Sequence, residues 1–83
     1  MKHKKKPVFI EAMLLNSTND SIKKCIEFTQ GKAKKGIDGN LILETIDGDM
    51  VVNIGDYIVK GLKGEFYPCK SDVFEKTYEP VSN

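Results

Sequence analysis

The first apolar block of the chain predicts a buried β-strand. Pro7 opens a run over residues 8–15 in which both alternating faces are apolar, apart from Glu11. Strands with two apolar faces lie deep in a sheet or are covered on both sides. The preceding residues 1–6 are polar and rich in lysine, and we expect them to be frayed.

A helical pattern follows a polar turn at residues 16–20. Apolar and small side chains recur with helical spacing at Ile22, Cys25, Ile26 and Thr29, and charged side chains fall on the opposite side. This spacing predicts an amphipathic helix of about three turns. Gly31 stands where the C′ residue of that helix is expected. The glycine- and lysine-rich residues 32–40 predict a loop, with space for a short edge strand.

The clearest local signal is a β-hairpin. The apolar-rich runs 41–46 and 50–54 flank Asp47-Gly48, a pair typical of a two-residue type I′ turn. Such a turn places Thr45 opposite Met50 and continues the register in both directions. The hairpin then has one apolar face and one mixed face, as an antiparallel sheet with one buried side requires.

A second hairpin is predicted in the C-terminal half. Residues 57–60 and 65–69 have the composition of strands, and the loop between them begins at Gly61 and ends at Gly64. Pro68 has no N–H group to donate to a ladder, so it marks an edge or the end of a strand.

The last part of the chain predicts a short helix. Ser71-Asp72 followed by Glu75 resembles a capping box, and the helix is expected to run to about Lys76. Residues 77–81 are expected to return as a final strand that Pro80 ends.

Size and composition fit these elements into one domain, residues 1–83. The 83-residue chain is 40% hydrophobic and 30% charged, which is ordinary for a globular protein. We expect an α+β fold in which a small antiparallel sheet of about five strands carries one amphipathic helix packed on it. A short C-terminal helical turn completes the prediction.

Charge is divided unevenly along the chain. Residues 1–35 have a balance of +6, residues 36–83 have a balance of −5, and every cation is a lysine. Nucleic-acid surfaces usually combine arginine and exposed aromatic rings with lysine. The lysines therefore indicate a solvated face rather than a phosphate track.

Candidate catalytic groups are few. The single histidine, His3, lies in the lysine-rich terminus, and a general base needs a fixed position. Cys25 is expected in the core. Cys69 precedes Lys70 and a predicted helix start, two features that lower a thiol pKa, but no fixed histidine is available as its base and we favour structural packing for this thiol too. Asp47, Asp49 and Asp56 lack the spacing of a calcium loop. We therefore expect no enzyme, no cofactor and no metal site.

Two cysteines far apart do not make a disulfide framework, and no signal peptide or membrane-spanning stretch is visible. We therefore expect both thiols to be reduced and the protein to reside in a cytoplasm.

The pattern most typical of binding is the hairpin loop with its glycines, aromatic rings and lysines. Glycine lets a backbone approach a ligand closely, and tyrosine offers a flat amphipathic surface. The alternative interpretation is a tight loop beside core aromatics. The candidate binding residues are Tyr57, Lys60, Gly61, Lys63, Gly64, Phe66, Tyr67 and Lys70.

The segment GDYIVKGLKGEFYPCKSDVFEKTYEPV, residues 55–81, resembles a signature of short, functionally uncharacterised bacteriophage and prophage proteins. Those proteins also tend to begin with a lysine-rich KKPV-IEA segment, here residues 5–12, and continue through a hairpin of the LILETIDGDM type. Ser71 stands where they often have proline. The resemblance implies a phage or prophage origin and implies no particular activity.

Together these observations lead to a primary hypothesis and two alternatives. We expect a non-enzymatic phage or prophage accessory protein that acts as a protein-binding module in the host bacterial cytoplasm. The first alternative is a protein that binds or sequesters a small nucleotide signal used in host defence, with homo-oligomerisation to supply enough concave volume. Nucleic-acid binding is the less favoured alternative, and no membrane association is expected.

Overall fold

The computed structural model describes residues 9–80, which form six strands and two helices. The expectations for residues 1–6, His3 and Val81 lie outside the described residues. The elements are β1 (Glu11–Leu14), α1 (Asn19–Phe28), β2 (Ala33–Lys35), β3 (Leu41–Thr45), β4 (Gly48–Val52), β5 (Tyr57–Lys60), β6 (Phe66–Cys69) and α2 (Ser71–Thr77).

The strands form two antiparallel sheets of three strands each, in the orders β1-β5-β6 and β2-β3-β4. The α+β class is confirmed, but the prediction of one five-stranded sheet is wrong. The chain turns sharply between β4 and β5, where Gly55 has a φ of 96°. Backbone bonds from Leu15 N–H to the Asp56 carbonyl and from Gly55 N–H to the Leu15 carbonyl then dock this turn beside β1. As a result β5 pairs with β1 rather than with β4.

Strand β1 lies at the edge of its sheet, and its exposure differs from the prediction. Its four residues pair with β5, and Glu11 and Leu14 are exposed. Leu15, one residue beyond the strand, is fully buried. The apolar residues on both alternating faces of β1 therefore did not mean that this strand is central. The central strand of the sheet is β5.

Helix α1 has well-formed caps at both ends. The Thr18 side chain accepts a hydrogen bond from the Ser21 N–H, as an N-cap residue does. At the other end the Gly31 N–H donates to the Ile26 carbonyl and the Gln30 N–H to the Glu27 carbonyl, which is the Schellman pattern. The C′ residue is thus Gln30, with a φ of 58°, and not Gly31 as predicted.

Ser21 joins α1 to β1. Its buried hydroxyl donates to the Leu14 carbonyl at 3.2 Å and accepts from the Asn16 N–H at 2.9 Å. One turn later the Cys25 thiol also points at the Leu14 carbonyl, at 3.7 Å. Two small polar side chains on the buried face thus satisfy backbone groups that the helix would otherwise cover.

The β3–β4 hairpin is confirmed, but its predicted turn is wrong. Thr45 pairs with Gly48, so Ile46 and Asp47 form the loop, and the register differs by two residues from the prediction. Positive φ occurs at Gly48, at 102°, and at neither loop residue, so the turn is not type I′. The Thr45 hydroxyl stabilises this turn by donating to the Gly48 carbonyl. Side chains alternate between the two faces of a strand, so a register shift of two residues leaves every side chain on its predicted face.

The second sheet also contains the anticipated edge strand, β2, paired with β3. Strand β6 of the first sheet lies against β3 and β4 of the second. The main core fills the space between the sheets and α1, where α1 is the amphipathic helix predicted from the sequence. Its buried members are Leu15, Cys25, Ala33, Leu41, Leu43, Val52, Ile58 and Phe66.

The first sheet is covered on its other face too. Val59 alternates with Ile58 along β5, is fully buried, and lies outside the main core. Its cross-strand partners are Ala12 and Tyr67, which share its face. Helix α2 and the segment after it supply the cover, because Phe74 of α2 stacks on Tyr57 of the same face.

Helix α2 begins without the predicted capping box. Ser71 is its first helical residue, and Lys70 occupies the N-cap with no side-chain hydrogen bond. Residues 78–80 follow α2 in irregular conformation and do not form the final strand that the sequence suggested. Aromatic packing, rather than capping, holds this segment on the sheet.

We expect Gln30→Gly to stabilise the protein by about 0.5–1 kcal/mol. A left-handed residue with a side chain carries strain that glycine lacks, and the greater flexibility of glycine in the unfolded chain offsets part of the gain. Urea unfolding measures the change. Gln30→Ala is the matched control and should give no gain, and equal effects of the two substitutions would contradict the cap assignment.

We expect Ser21→Ala to lower the free energy of unfolding by about 1–2 kcal/mol, because the Asn16 N–H loses its partner and the Leu14 carbonyl keeps only the weak contact with the Cys25 thiol. Chemical denaturation measures the loss. Ser17→Ala, at an exposed position, should stay within about 0.5 kcal/mol of the parent protein. A Ser21 variant as stable as the Ser17 variant would refute the bridging role.

Candidate functional site

The structure divides the predicted binding cluster between two faces of one sheet. Phe66 points into the main core, where it is 4% exposed and meets Phe28 edge-on at 5.6 Å between ring centroids. Tyr57 and Tyr67 lie on the opposite face, with Val59. Lys60 is half-buried on the core face and pairs with Glu11 at 3.9 Å. The aromatic rings of the hairpin therefore do not form one surface.

The glycines of the β5–β6 loop close a tight turn. The Gly61 N–H donates to the Glu65 carbonyl at 2.7 Å, and Gly64 has a φ of 81°. The Glu65 carboxylate accepts from the Lys63 N–H at 3.2 Å and packs where a Cβ of residue 61 would stand. These contacts support the alternative interpretation of the loop, because they explain both glycines without a ligand. Lys70 is exposed at the start of α2.

A groove of about 820 Å³ lies on the outer face of the first sheet and is the candidate site. We call it the aromatic groove. One wall comes from the residues before and within β1, and the other from α2 and the segment after it. The floor includes Tyr57, the one predicted site residue that the groove contains. The lining residues are Phe9, Ile10, Ala12, Tyr57, Phe74, Glu75, Thr77, Tyr78, Glu79 and Pro80.

A series of three aromatic rings, one pair stacked and one pair tilted, lines the groove. Tyr57 and Phe74 lie 4.0 Å apart between centroids with an interplanar angle of 15°, and Phe74 and Tyr78 lie 5.0 Å apart at 39°. Such pairs contribute roughly 0.5–1.5 kcal/mol each beyond the area they bury. The rings are therefore held in place by one another before any partner arrives.

Tyr67 lies on the same outer face of the sheet as Tyr57. Burial raises the pKa of Tyr67, and the hydroxyl of Tyr78 beside it raises that pKa further, as does the nearby Glu65 carboxylate. Tyr78 itself lies against Phe74 in the groove.

The groove combines apolar surface with negative charge. Phe9 is 71% exposed, whereas Phe74 and Tyr78 are half-buried. The charged side chains among the described lining residues are Glu75 and Glu79. Within residues 9–80 neither carboxylate has a salt-bridge partner. A ligand of this groove therefore meets aromatic faces and two free negative charges.

A smaller cavity of about 430 Å³ lies between the two sheets and includes the predicted residues Lys63, Gly64 and Phe66. Lys32 also lines it, with its ammonium 5.9 Å from the Phe66 ring centroid. Glu44 and Glu65 line the same cavity and balance the charges of its two lysines, so the lining has no net charge. Because Phe66 is almost completely buried, it offers little ring surface to a ligand.

The pKa of each cysteine thiol is raised. Burial raises the pKa of Cys69, and the carboxylates of Asp56 and Asp72 raise it further, so the neighbouring lysine and helix start do not make a reactive thiolate. Burial likewise raises the pKa of Cys25, which lies in the main core as predicted. Both thiols are free. Across residues 9–80 no three His, Cys, Asp or Glu side chains gather in a metal-binding arrangement.

Sequence reasoning missed the residues that make the groove. Phe74 and Tyr78 are four positions apart, the spacing that places two side chains on one helical face, and this signal was present in the sequence. Their contact with Tyr57 depends on where α2 docks. Local patterns do not specify that docking.

Comparison with known proteins adds no assignment. The chain matches no protein-family model, no curated protein and no solved structure. In the described part of the chain, none of the helices is long and apolar enough to cross a membrane.

We expect the Tyr67 side chain to titrate above its ordinary pKa of about 10. Above that pH the unfolded tyrosine ionises while the folded one stays protonated, so this residue makes stability fall as pH rises. Ring ¹³C NMR against pH measures the midpoint, and Tyr78→Phe should lower it. A midpoint at or below 10 in the parent protein would contradict the raised pKa, and a midpoint unchanged by Tyr78→Phe would show that the Tyr78 hydroxyl does not contribute to it.

Proposed function

We propose that this chain is a non-enzymatic bacteriophage or prophage accessory protein that binds another protein through the aromatic groove, in the cytoplasm of a bacterial host. The observation that carries the proposal is the groove itself, with its ring series and the exposed Phe9. The phage origin rests on the sequence resemblance alone.

The chemistry of the lining supports protein binding. Aromatic residues are enriched at the centres of protein interfaces, where tyrosine and tryptophan are frequent hot spots. Rings already fixed by stacking lose little conformational freedom on binding, which favours affinity.

The buried polar side chains support a role without catalysis, because each serves the fold. Ser21 joins α1 to β1. The Thr29 hydroxyl donates to the Ile26 carbonyl at 3.0 Å and accepts from the Ala33 N–H at 3.1 Å. The Asp56 carboxylate accepts from the Asn53 N–H at 3.0 Å and stabilises the turn before β5.

The alternative function, binding of a small nucleotide signal, would use the cavity between the sheets. Lys32 and Lys63 there offer two cations for phosphate. We rank this alternative second because Glu44 and Glu65 would repel the same phosphate. Stabilisation of the protein by cyclic nucleotides in a thermal-shift assay, lost in Lys63→Gln, would reverse the order.

The test compares two exposed apolar residues. Phe9, 71% exposed, lines the groove, whereas Leu62, 77% exposed, does not. In quantitative affinity capture from host lysate, with tags tried at each terminus, we expect a partner that the parent protein and Leu62→Ser enrich equally. Phe9→Ser should reduce its recovery at least tenfold, because hot-spot truncations commonly cost about 2 kcal/mol or more.

Both variants should keep the thermal stability of the parent protein, since neither side chain is buried. Capture that Phe9→Ser leaves intact and Leu62→Ser removes would place the interface on the β5–β6 loop. Failure to enrich any protein in either tag position would refute the binding module.

A further inference from the structure

We infer that the aromatic groove recognises a peptide segment that presents a lysine or arginine side chain between apolar neighbours. This inference rests on the proposed function and specifies the chemistry of the partner. It follows from the combination of ring surface with carboxylates that have no salt-bridge partner among residues 9–80, and from neither alone.

The first step is the electrostatic character of the groove. Glu75 and Glu79 lie four residues apart along α2 and the segment after it, and both line the groove. Residues 71–80 contain three acids and one lysine. Carboxylates without a cation partner are complementary to a positively charged ligand and repel an anionic one. This charge disfavours a nucleic acid or a phosphorylated segment as the occupant.

The second step is the ring surface. Phe74 packs against both Tyr57 and Tyr78, so the ring surface open to a ligand belongs to those two outer rings and to the exposed Phe9. The face of an aromatic ring carries the negative part of its quadrupole, which attracts lysine and arginine. The attraction strengthens when the cation is partly removed from water, as it is inside a groove. A guanidinium also stacks on an aromatic face and forms paired hydrogen bonds with a carboxylate, so arginine suits this lining best.

The third step is size, which favours a peptide over a small free cation. One basic side chain does not fill a groove of about 820 Å³. Phe9, Ile10, Ala12 and Pro80 extend the lining with apolar surface beyond the rings. Apolar residues on both sides of the basic one would cover that surface.

The experiment uses the full chain and four fluorescein-labelled nonapeptides with identical apolar flanks and a central arginine, lysine, norleucine or glutamate. Fluorescence anisotropy measures each dissociation constant. We expect the arginine and lysine peptides to bind about tenfold more tightly than the norleucine peptide, and the glutamate peptide to bind most weakly. Raised salt should reduce the preference for the basic peptides.

Two double variants that remove the same negative charge, one in the groove and one outside it, test whether the groove carboxylates cause the preference for basic peptides. Glu75→Gln with Glu79→Gln should bring the arginine peptide close to the affinity of the norleucine peptide. Glu27→Gln with Glu44→Gln removes the same charge from exposed positions outside the groove and should leave the preference unchanged. Equal effects of the two pairs would indicate general electrostatic attraction and overturn the inference.

The remaining outcomes separate the inference from the proposed function. Equal affinity for the arginine and norleucine peptides would overturn the inference while leaving a binding groove. Absence of peptide binding would also overturn it, and the Phe9 capture experiment would then decide the proposed function independently. Sedimentation showing a dimer that Phe9→Ser converts to a monomer would assign the groove to a second copy of this chain and refute the inference.

Discussion

Burial of β5 on both faces is the constraint on which the rest of the structure depends. Ile58 faces the main core and Val59 faces the outer side of the sheet, and neither is exposed to solvent. The strand lies between β1 and β6, so its backbone is paired on both edges. Both faces need cover, and α2 with the segment up to Pro80 lies on the outer face. The aromatic groove is the space that this cover leaves open.

Local patterns predicted the elements well, since their causes are local. The apolar spacing around Cys25 identified α1, and alternation identified β3 and β4 with the correct faces. The errors occurred where long-range packing decides. The turn at Gly55 redirected β5 to β1, which divided the expected single sheet into two. The Schellman cap places the C′ residue at Gln30, one position before the predicted Gly31, and both residues have a positive φ.

The candidate site was predicted only in part, for the same reason. Tyr57 does line the groove, but alternation along β6 sends Phe66 into the core and leaves Tyr67 on the outer face. The Gly61 and Gly64 loop is explained by its own hydrogen bonds and by the Glu65 side chain. Phe74 and Tyr78 acquire their significance from the docking of α2. The docking of α2 on the outer face of the first sheet thus decides which aromatic residues line the groove and which, like Phe66, belong to the core.

The central claim is that a protein partner occupies the aromatic groove, and site-specific photo-crosslinking tests it most directly. Benzoylphenylalanine at position 9 keeps an aromatic ring in the groove, and the same probe at position 62 places it on the distant loop. The account predicts a defined adduct with another protein from position 9 and none from position 62. Adducts from position 62 alone, or equally from both positions, would contradict it.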